Sequence, residues 1–277
     1  MKIQMLGSAA YDRVPAMFCQ CPACLQARKL GGKNIRTQAQ AFINDDLLID
    51  FGQDNYIHFL NCGKDYTKIK NILLTHSHED HFMPNELVMT TSWFGHNDIE
   101  EPIGVWGNAD CKALFETNTR EMKCQYHLVQ PFETFQAGAY TVTALPAKHA
   151  KDDDLVYIIS DGEKTILYNN DTGFWKEEVY AFVKENGFRF DFVASDCTFC
   201  LQEGNAGRSH MSLENNVAHR QRLVDMGAVT EQTPWLVTHY SHNNLIRDGK
   251  AVTAEELEEI VKDCGMIASF DGIQFEI

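Results

Sequence analysis

Short apolar runs separated by turn residues recur along the whole chain and predict many β-strands. Each run is followed closely by Gly, Asn, Asp or other polar residues, as expected where a buried strand ends in a turn. The predicted strands cover residues 2–6, 39–44, 47–50, 71–75, 104–106, 140–145, 155–160, 164–168, 190–194, 235–238 and 273–277.

Helical periodicity appears between these strands. Helices are predicted over residues 25–28, 55–60, 175–186 and 212–226, near Pro84, through 114–115, and from residue 253 to Gly265. Asn108 and Ser212 are suitable N-caps, and Thr253 with Glu256 matches a capping box. No linker is long enough to divide the chain, so a single domain over residues 1–277 is predicted.

Composition and charge argue against some classes of binding partner. The chain has 277 residues, a hydrophobic fraction of 44% and a formal net charge of −15. Such an acidic surface argues against nucleic-acid backbones and anionic membranes as partners. The first residues do not resemble a secretion signal, and no apolar run approaches the roughly 20 residues that span a bilayer. A cytoplasmic location is therefore expected.

The strongest chemical feature is a cluster of four metal-capable side chains that follows the strand at 71–75: His76, His78, Asp80 and His81. Side chains two apart do not share a helical face, so His76 and His78 must converge from a turn at a strand end. Imidazoles with a carboxylate suit zinc, manganese or iron.

Three further residues occupy the same kind of position. His149, Asp171 and His239 each lie within about four residues of the end of an apolar strand. Sites in sheet-and-helix enzymes gather outside the carboxyl ends of strands. The sequence therefore predicts that these three side chains join the cluster that begins at His76.

Nine cysteines, an odd number, favour reduced thiols over a disulfide framework in a cytosolic chain. Cys19, Cys21 and Cys24 form a CxCxxC pattern. Three thiolates so close together favour a closed zinc site whose fourth ligand comes from elsewhere, although buried, unreactive cysteines are the alternative.

The segment from His76 to His81 resembles the HxHxDH signature of the metallo-β-lactamase superfamily. This resemblance implies an α+β fold, a four-layer αββα sandwich, with two divalent metal ions between the sheets. It implies that His76, His78 and His149 hold one ion, that Asp80, His81 and His239 hold the other, and that Asp171 bridges them. It also implies that Asp50 braces the metal-binding loops.

Within the superfamily, Asp196 and His210 match the phosphodiesterase branch, and the CxCxxC resembles PhnP-type proteins. That resemblance completes a structural zinc site with His242. It implies a hydrolase that cleaves a small phosphodiester, such as a cyclic ribose phosphate, through a metal-bridging hydroxide. His210, oriented by Asp196, would donate the proton, and the protein would form a homodimer.

Three alternatives remain at this stage. The same fold hydrolyses lactones, thioesters or β-lactams in other proteins, and fold alone does not decide between them. Processing of tRNA is disfavoured by the acidic charge and by the lack of a basic arm. A non-catalytic carrier resembling PqqB would lack a full set of catalytic metal ligands. The sequence identifies neither the catalytic metals among Mn, Zn and Fe nor the residues that bind substrate.

Overall fold

Two seven-stranded β-sheets, packed face to face, form the centre of the computed structural model, which describes residues 1–118, 120–204 and 207–277. The strands are β1 (Lys2–Gly7), β2 (Gln40–Ile43), β3 (Leu47–Ile49), β4 (Asn71–Leu73), β5 (Ile103–Gly107), β6 (Cys124–Leu128), β7 (Thr134–Ala137), β8 (Tyr140–Pro146), β9 (Leu155–Ser160), β10 (Thr165–Asn169), β11 (Phe192–Asp196), β12 (Trp235–Thr238), β13 (Ile246–Arg247), β14 (Lys250–Ala251), β15 (Ile267–Ala268) and β16 (Gln274–Glu276).

Six α-helices flank the sheets: α1 (Pro22–Leu30), α2 (Asn55–Cys62), α3 (Ala109–Thr117), α4 (Glu177–Glu185), α5 (Leu213–Asp225) and α6 (Ala254–Asp263). Short 3₁₀ helices cover Gly32–Asn34, Tyr66–Lys68, Pro84–Thr90 and His242–Asn244. Among the described residues, no helix is both long and apolar enough to cross a membrane.

The strand order places the carboxyl ends of the parallel strands at one edge of each sheet. The first sheet runs β16-β1-β2-β3-β4-β5-β6 and the second β15-β12-β11-β10-β9-β8-β7. In the first, β3 and β4 are parallel. In the second, β10, β11 and β12 are parallel, and two antiparallel steps through β9 give β8 the same direction. The carboxyl ends of these strands therefore lie together within each sheet.

Three apolar layers hold the elements together. One lies between the sheets and includes Ile49, Leu73 and Tyr168, all buried. A second lies between the first sheet and the α2 and α3 side, and a third lies between the second sheet and helices α1, α4, α5 and α6. Helix, sheet, sheet and helix therefore stack in that order, which confirms the predicted four-layer αββα sandwich.

The alternation of side chains along β9 shows how the sequence specifies these layers. Leu155, Tyr157 and Ile159 pack between the sheets, whereas Val156 and Ile158 face the outer helices. Successive strand residues point to opposite faces, so a continuous apolar run serves a strand that is buried on both sides.

The local predictions were largely confirmed, although several elements differ, among them the two-residue strands β13, β14 and β15, which were not predicted. Asn108, Ser212 and Thr253 cap α3, α5 and α6 as expected. The segment after Pro84 is 3₁₀ rather than α-helical. Strands β6 and β7 were not predicted, because their half-exposed residues lack an apolar run, and β11 extends through Asp196. The single domain stays a prediction.

Candidate metal centre

Residues at the carboxyl ends of five strands meet where the two sheets touch. Asp50 follows β3, His76 follows β4, His149 follows β8, Asp171 follows β10 and His239 follows β12. Across the sheets, the Leu155 amide donates to Thr75 O over 2.9 Å, which fixes the β4 end against β9. Topology therefore gathers side chains that are far apart in sequence.

Three of these residues adopt a backbone conformation that side chains disfavour. Asp50, Asp171 and His239 have φ values of 66°, 54° and 66°. A non-glycine residue in this left-handed region costs free energy that the surrounding structure must offset, and such residues cluster at functional sites.

One group of possible metal ligands consists of His76, His78 and His149. His76 Nε2 lies 2.8 Å from His78 Nδ1, and His149 Nε2 lies 3.4 Å from the same atom. His76 is buried and His78 is exposed, so this group lies on the outer side of the site.

A second group consists of Asp80, His81, Asp171 and His239, all buried. His81 Nε2 lies 3.2 Å from Asp80 Oδ2 and 2.7 Å from Asp171 Oδ2, and His239 Nε2 lies 3.1 Å from Asp171 Oδ2. Asp171 also approaches the first group, with Oδ2 3.7 Å from His76 Nε2. Asp171 therefore lies between the two groups.

Unpartnered atoms show that the cluster fits cations. Asp80 Oδ1, His81 Nε2, Asp171 Oδ1 and His239 Nε2 are buried and make no acceptable hydrogen bond among the described residues. Buried polar atoms are normally paired, because an unpaired one costs about 1–3 kcal/mol. His81 Nε2 and His239 Nε2 lie 2.7 and 3.1 Å from Asp171 Oδ2 without an acceptable hydrogen bond, which is the arrangement expected of ligands around a shared ion.

The pKa shifts of the clustered residues also indicate a site suited to a cation. Burial lowers the pKa of His76 well below its usual value, which keeps that ring neutral, as a metal ligand requires. Burial also acts to lower the pKa of His239, but Asp171 outweighs it and raises that pKa to about 10. The pKa of Asp171 falls well below its ordinary value despite its burial, because His239 and His149 lie close to it. A bound divalent cation would supply the compensating charge.

Asp50 holds the first loop, as the family resemblance implied. Asp50 Oδ1 accepts from the Thr75 amide over 2.8 Å and from Thr75 Oγ1 over 2.9 Å. Asp50 Oδ2 accepts from His81 Nδ1 over 2.7 Å. Because the Nδ1 proton is fixed in this way, Nε2 of His81 faces the other ligands.

Asp196 and His210 lie beside the second group. Asp196 Oδ2 accepts from His210 Nδ1 over 3.0 Å, and Asp196 Oδ1 accepts from the Met211 amide over 2.7 Å. His210 Nδ1 is 3.2 Å from Asp171 Oδ1, and its side chain keeps 19% exposure, whereas Asp196 is fully buried. Burial acts to lower the pKa of His210, but Asp196 outweighs it and the pKa rises.

Thr75 and Thr198 contact several site residues, although the sequence analysis selected neither. Thr198 Oγ1 lies 2.9 Å from Asp196 Oδ2, 2.7 Å from His239 Nδ1 and 3.1 Å from His210 Nδ1. Their only sequence signal is position, since Thr75 directly precedes His76 and Thr198 follows Asp196 by two residues.

The structure also brings together Cys19, Cys21, Cys24 and His242, whose possible ligand atoms lie within 4.8 Å of one another. Cys21 Sγ is 3.3 Å from His242 Nδ1. His242 Nε2 lies 3.1 Å from Asp12 Oδ2, a carboxylate that the sequence analysis did not select. Burial raises the pKa of the Cys24 thiol to about 12, so a thiolate there requires an adjacent cation.

Every residue predicted for the metal centre and the zinc site thus lies where the prediction needs it, while the roles assigned to these residues stay predictions. His58 and His127, which were not assigned to the site, lie elsewhere. His58 is buried and contacts Gln40 and Thr37, and the His127 ring stacks on Trp106.

Comparison with known proteins identifies the fold independently. The family model described as the beta-lactamase superfamily domain matches residues 46–240. A structure described as a new diphosphatase from the PhnP family is 17% identical, with a TM-score of 0.74 over 100% of this chain and 97% of that chain.

Two other solved structures share the fold at similar distance. Zinc-bound PqqB from Methylobacterium extorquens is 16% identical, with a TM-score of 0.74 and full coverage of both chains. The short form of human tRNase Z is 13% identical, with a TM-score of 0.65 over 100% of this chain and 99% of that chain. Comparison with curated proteins gave no match. At these identities the structural likeness establishes the fold and leaves the substrate open.

Proposed function

Because the chain belongs to the β-lactamase superfamily of metal-dependent hydrolases, we propose that it is a phosphodiesterase that uses two divalent metal ions. The observation that carries the proposal is the hydrogen bond of 3.0 Å between His210 Nδ1 and Asp196 Oδ2, beside the two groups of possible metal ligands. A hydrolase of phosphodiesters needs a proton donor for the leaving alkoxide as well as a site for cations.

The candidate ligands form two sets, one for each metal ion. His76, His78 and His149 would hold one ion, Asp80, His81 and His239 the other, and Asp171 would contact both. When bound, the two ions would supply positive charge for the phosphoryl oxygens and lower the pKa of a water molecule. The burial of Asp80, His81, Asp171 and His239 limits water access and strengthens electrostatic contacts at the site.

His210 is the proposed proton donor. Its Nδ1 donates to the buried Asp196, which fixes the tautomer and the plane of the ring. Asp196 is itself fixed by the Met211 amide. The partial exposure of His210 places it at the opening of the site, where a leaving alkoxide would depart.

The proposed substrate is a small phosphodiester, with cyclic ribose phosphates as the first candidates. The net charge of −15 opposes long-range attraction of a polyanion such as RNA. A small diester carries one negative charge, which two divalent ions in a buried cluster would offset. Lactones and β-lactams also release a leaving group that takes up a proton, so the parallel assay of all substrate classes decides between them.

The test is a parallel assay of protein loaded separately with Mn²⁺, Zn²⁺ or Fe²⁺. Substrates are bis(p-nitrophenyl) phosphate, a ribose cyclic phosphate, a lactone, a thioester and a chromogenic β-lactam. We expect hydrolysis of the two diesters. Turnover confined to the lactone, thioester or β-lactam would refute the proposal, and no turnover with two bound ions per site would favour a carrier.

A matched pair of variants tests the proton donor. His210→Ala is expected to keep its active-site metals by elemental analysis and to lose about 10²–10⁴-fold in kcat on the ribose cyclic phosphate, whose leaving group is an alkoxide. The loss on bis(p-nitrophenyl) phosphate should be much smaller, because p-nitrophenolate leaves without a proton. His127→Ala is the control, since that ring stacks on Trp106 outside the site. Unchanged turnover of the ribose cyclic phosphate in His210→Ala would show that His210 does not donate the proton.

A further inference from the structure

The first-sheet half of the site holds its histidines through a carboxylate and a threonine. Asp50 Oδ2 accepts directly from His81 Nδ1. Asp50 Oδ1 accepts from Thr75 Oγ1, and Thr75 Oγ1 lies 3.0 Å from His76 Nδ1. One histidine is therefore bonded to the aspartate itself, and the other reaches it through the threonine hydroxyl.

The second-sheet half repeats this arrangement. Asp196 Oδ2 accepts directly from His210 Nδ1 over 3.0 Å. It also accepts from Thr198 Oγ1 over 2.9 Å, and that hydroxyl lies 2.7 Å from His239 Nδ1. Thr198 therefore corresponds to Thr75, and Asp196 corresponds to Asp50. His239 takes the position of His76, and His210 takes the position of His81.

Hydrogen-bond direction follows from the number of protons available. His239 Nε2 faces Asp171 and Asp80, at 3.1 and 3.9 Å, so Nδ1 carries the proton when Nε2 is a ligand. That proton goes to Thr198 Oγ1 at 2.7 Å rather than to Asp196 Oδ2, which lies farther away at 3.5 Å. The single hydroxyl proton of Thr198 is then donated to the Asp196 carboxylate, which has none of its own.

We propose that Thr198 is a positioning residue that orients His239 toward the metal ions and aligns Asp196 with His210. Thr198 is 7% exposed, and Asp196 and His239 are 0% and 2% exposed, so water cannot readily replace the hydroxyl. The effect on metal binding stands on this geometry alone. The effect on His210 rests on the proposed function.

Substitution of Thr198 is a clean test because its backbone is held separately. Asn244 Nδ2 donates to Thr198 O over 3.0 Å, and the Thr198 amide donates to Asp196 Oδ1 over 3.1 Å. Thr198→Val keeps the shape of the side chain and removes only the hydroxyl. Thr198→Ser restores the hydroxyl without the methyl group.

The measurement is metal affinity by competition with a chromogenic chelator, using Zn²⁺ and Mn²⁺ on the full-length protein. Thr198→Val is expected to weaken one active-site ion by about 10–100-fold, the usual effect of losing a group that orients a ligand. Thr198→Ser is expected to recover most of that loss. Zinc at Cys19, Cys21, Cys24 and His242 is the internal control and is expected to remain.

Kinetics at saturating metal separate the two roles of Thr198. Thr75→Val, its counterpart, should also weaken metal binding but should lose less of its kcat than Thr198→Val when metal is in excess, since Thr75 makes no contact with Asp196 or His210 among its described hydrogen bonds. Thr198→Val should keep a reduced kcat with little change in KM.

Two results would overturn the proposal: wild-type metal affinity in Thr198→Val, or equal weakening in Thr198→Ser and Thr198→Val. If Thr198→Val weakens metal binding and serine restores it while no variant hydrolyses a diester, the positioning of His239 is supported. In that case the proposed function fails on its own.

Discussion

Gly52 is the point at which the smallest change should disturb the metal centre. It follows Asp50 and Phe51, and its Cα faces the backbone of Asp80. A Cβ added at Gly52 would lie 1.8 Å from Asp80 O and 2.4 Å from its carbonyl carbon. Because the obstacle is backbone, no side-chain rotation relieves the clash.

The structure sets the size of the effect. To reach even 3.0 Å, the contact in Gly52→Ala must open from 1.8 Å, a displacement of about 1.2 Å. Metal–ligand distances tolerate only about 0.2 Å, and a misplacement of about 1 Å can cost about 10²-fold in rate. The paired bonds between Phe51 and the His81–Met83 segment, of 2.8 and 2.7 Å, would be strained as well.

We therefore expect Gly52→Ala to lose the ion that Asp80 is proposed to hold and about 10²-fold in diester turnover. Overpacking should also lower stability by about 1–3 kcal/mol. Elemental analysis, thermal unfolding and the diester assay provide the measurements. Gly95→Ala is the control, since its nearest contact is an ordinary 3.4 Å to Met89 O. Full metal content and unchanged kinetics in Gly52→Ala would refute the reasoning.

Two further predictions concern the zinc site and acid stability. Cys24→Ser should remove one zinc per chain and, for a loss of about 3 kcal/mol, lower the unfolding midpoint by roughly 6–12 °C, whereas Cys62→Ser should change neither. Burial lowers the pKa of His219 to about 3. As pH falls below 6.5, the unfolded state therefore binds a proton at this ring that the folded state does not bind, and the free energy of unfolding decreases. Between pH 7 and 5 this group should cost metal-free protein about 2 kcal/mol in urea unfolding, a loss that His219→Phe should not show.

The sequence by itself determined the local elements and the candidate ligands. Alternation located β1, apolar runs located β9 and β12, and cap residues located the starts of α3, α5 and α6. His76, His78, Asp80 and His81 were identifiable because four ligands follow one strand within six residues. Such signals depend on neighbours along the chain, which a sequence displays directly.

The tertiary structure alone decided which distant groups touch. Thr198 reaches His239 across 41 residues, and Asp12 lies beside His242 from the other end of the chain. Threonine and aspartate are common residues, and no periodicity distinguishes these from others. Strands β6 and β7 were equally invisible, since their half-exposed side chains carry little hydrophobic pattern.

The physical reason is that strand order fixes which ends meet, and strand order depends on burial of the whole sheet. Hydrophobic patterning requires β4 and β12 to be buried but does not make them neighbours across the site. The parallel strands β10, β11 and β12 of the second sheet bring His239 to 3.1 Å from Asp171, but only the stacking of both sheets brings His76 to 3.7 Å from it. Local sequence motifs thus identify the candidate metal ligands, and long-range packing brings them together.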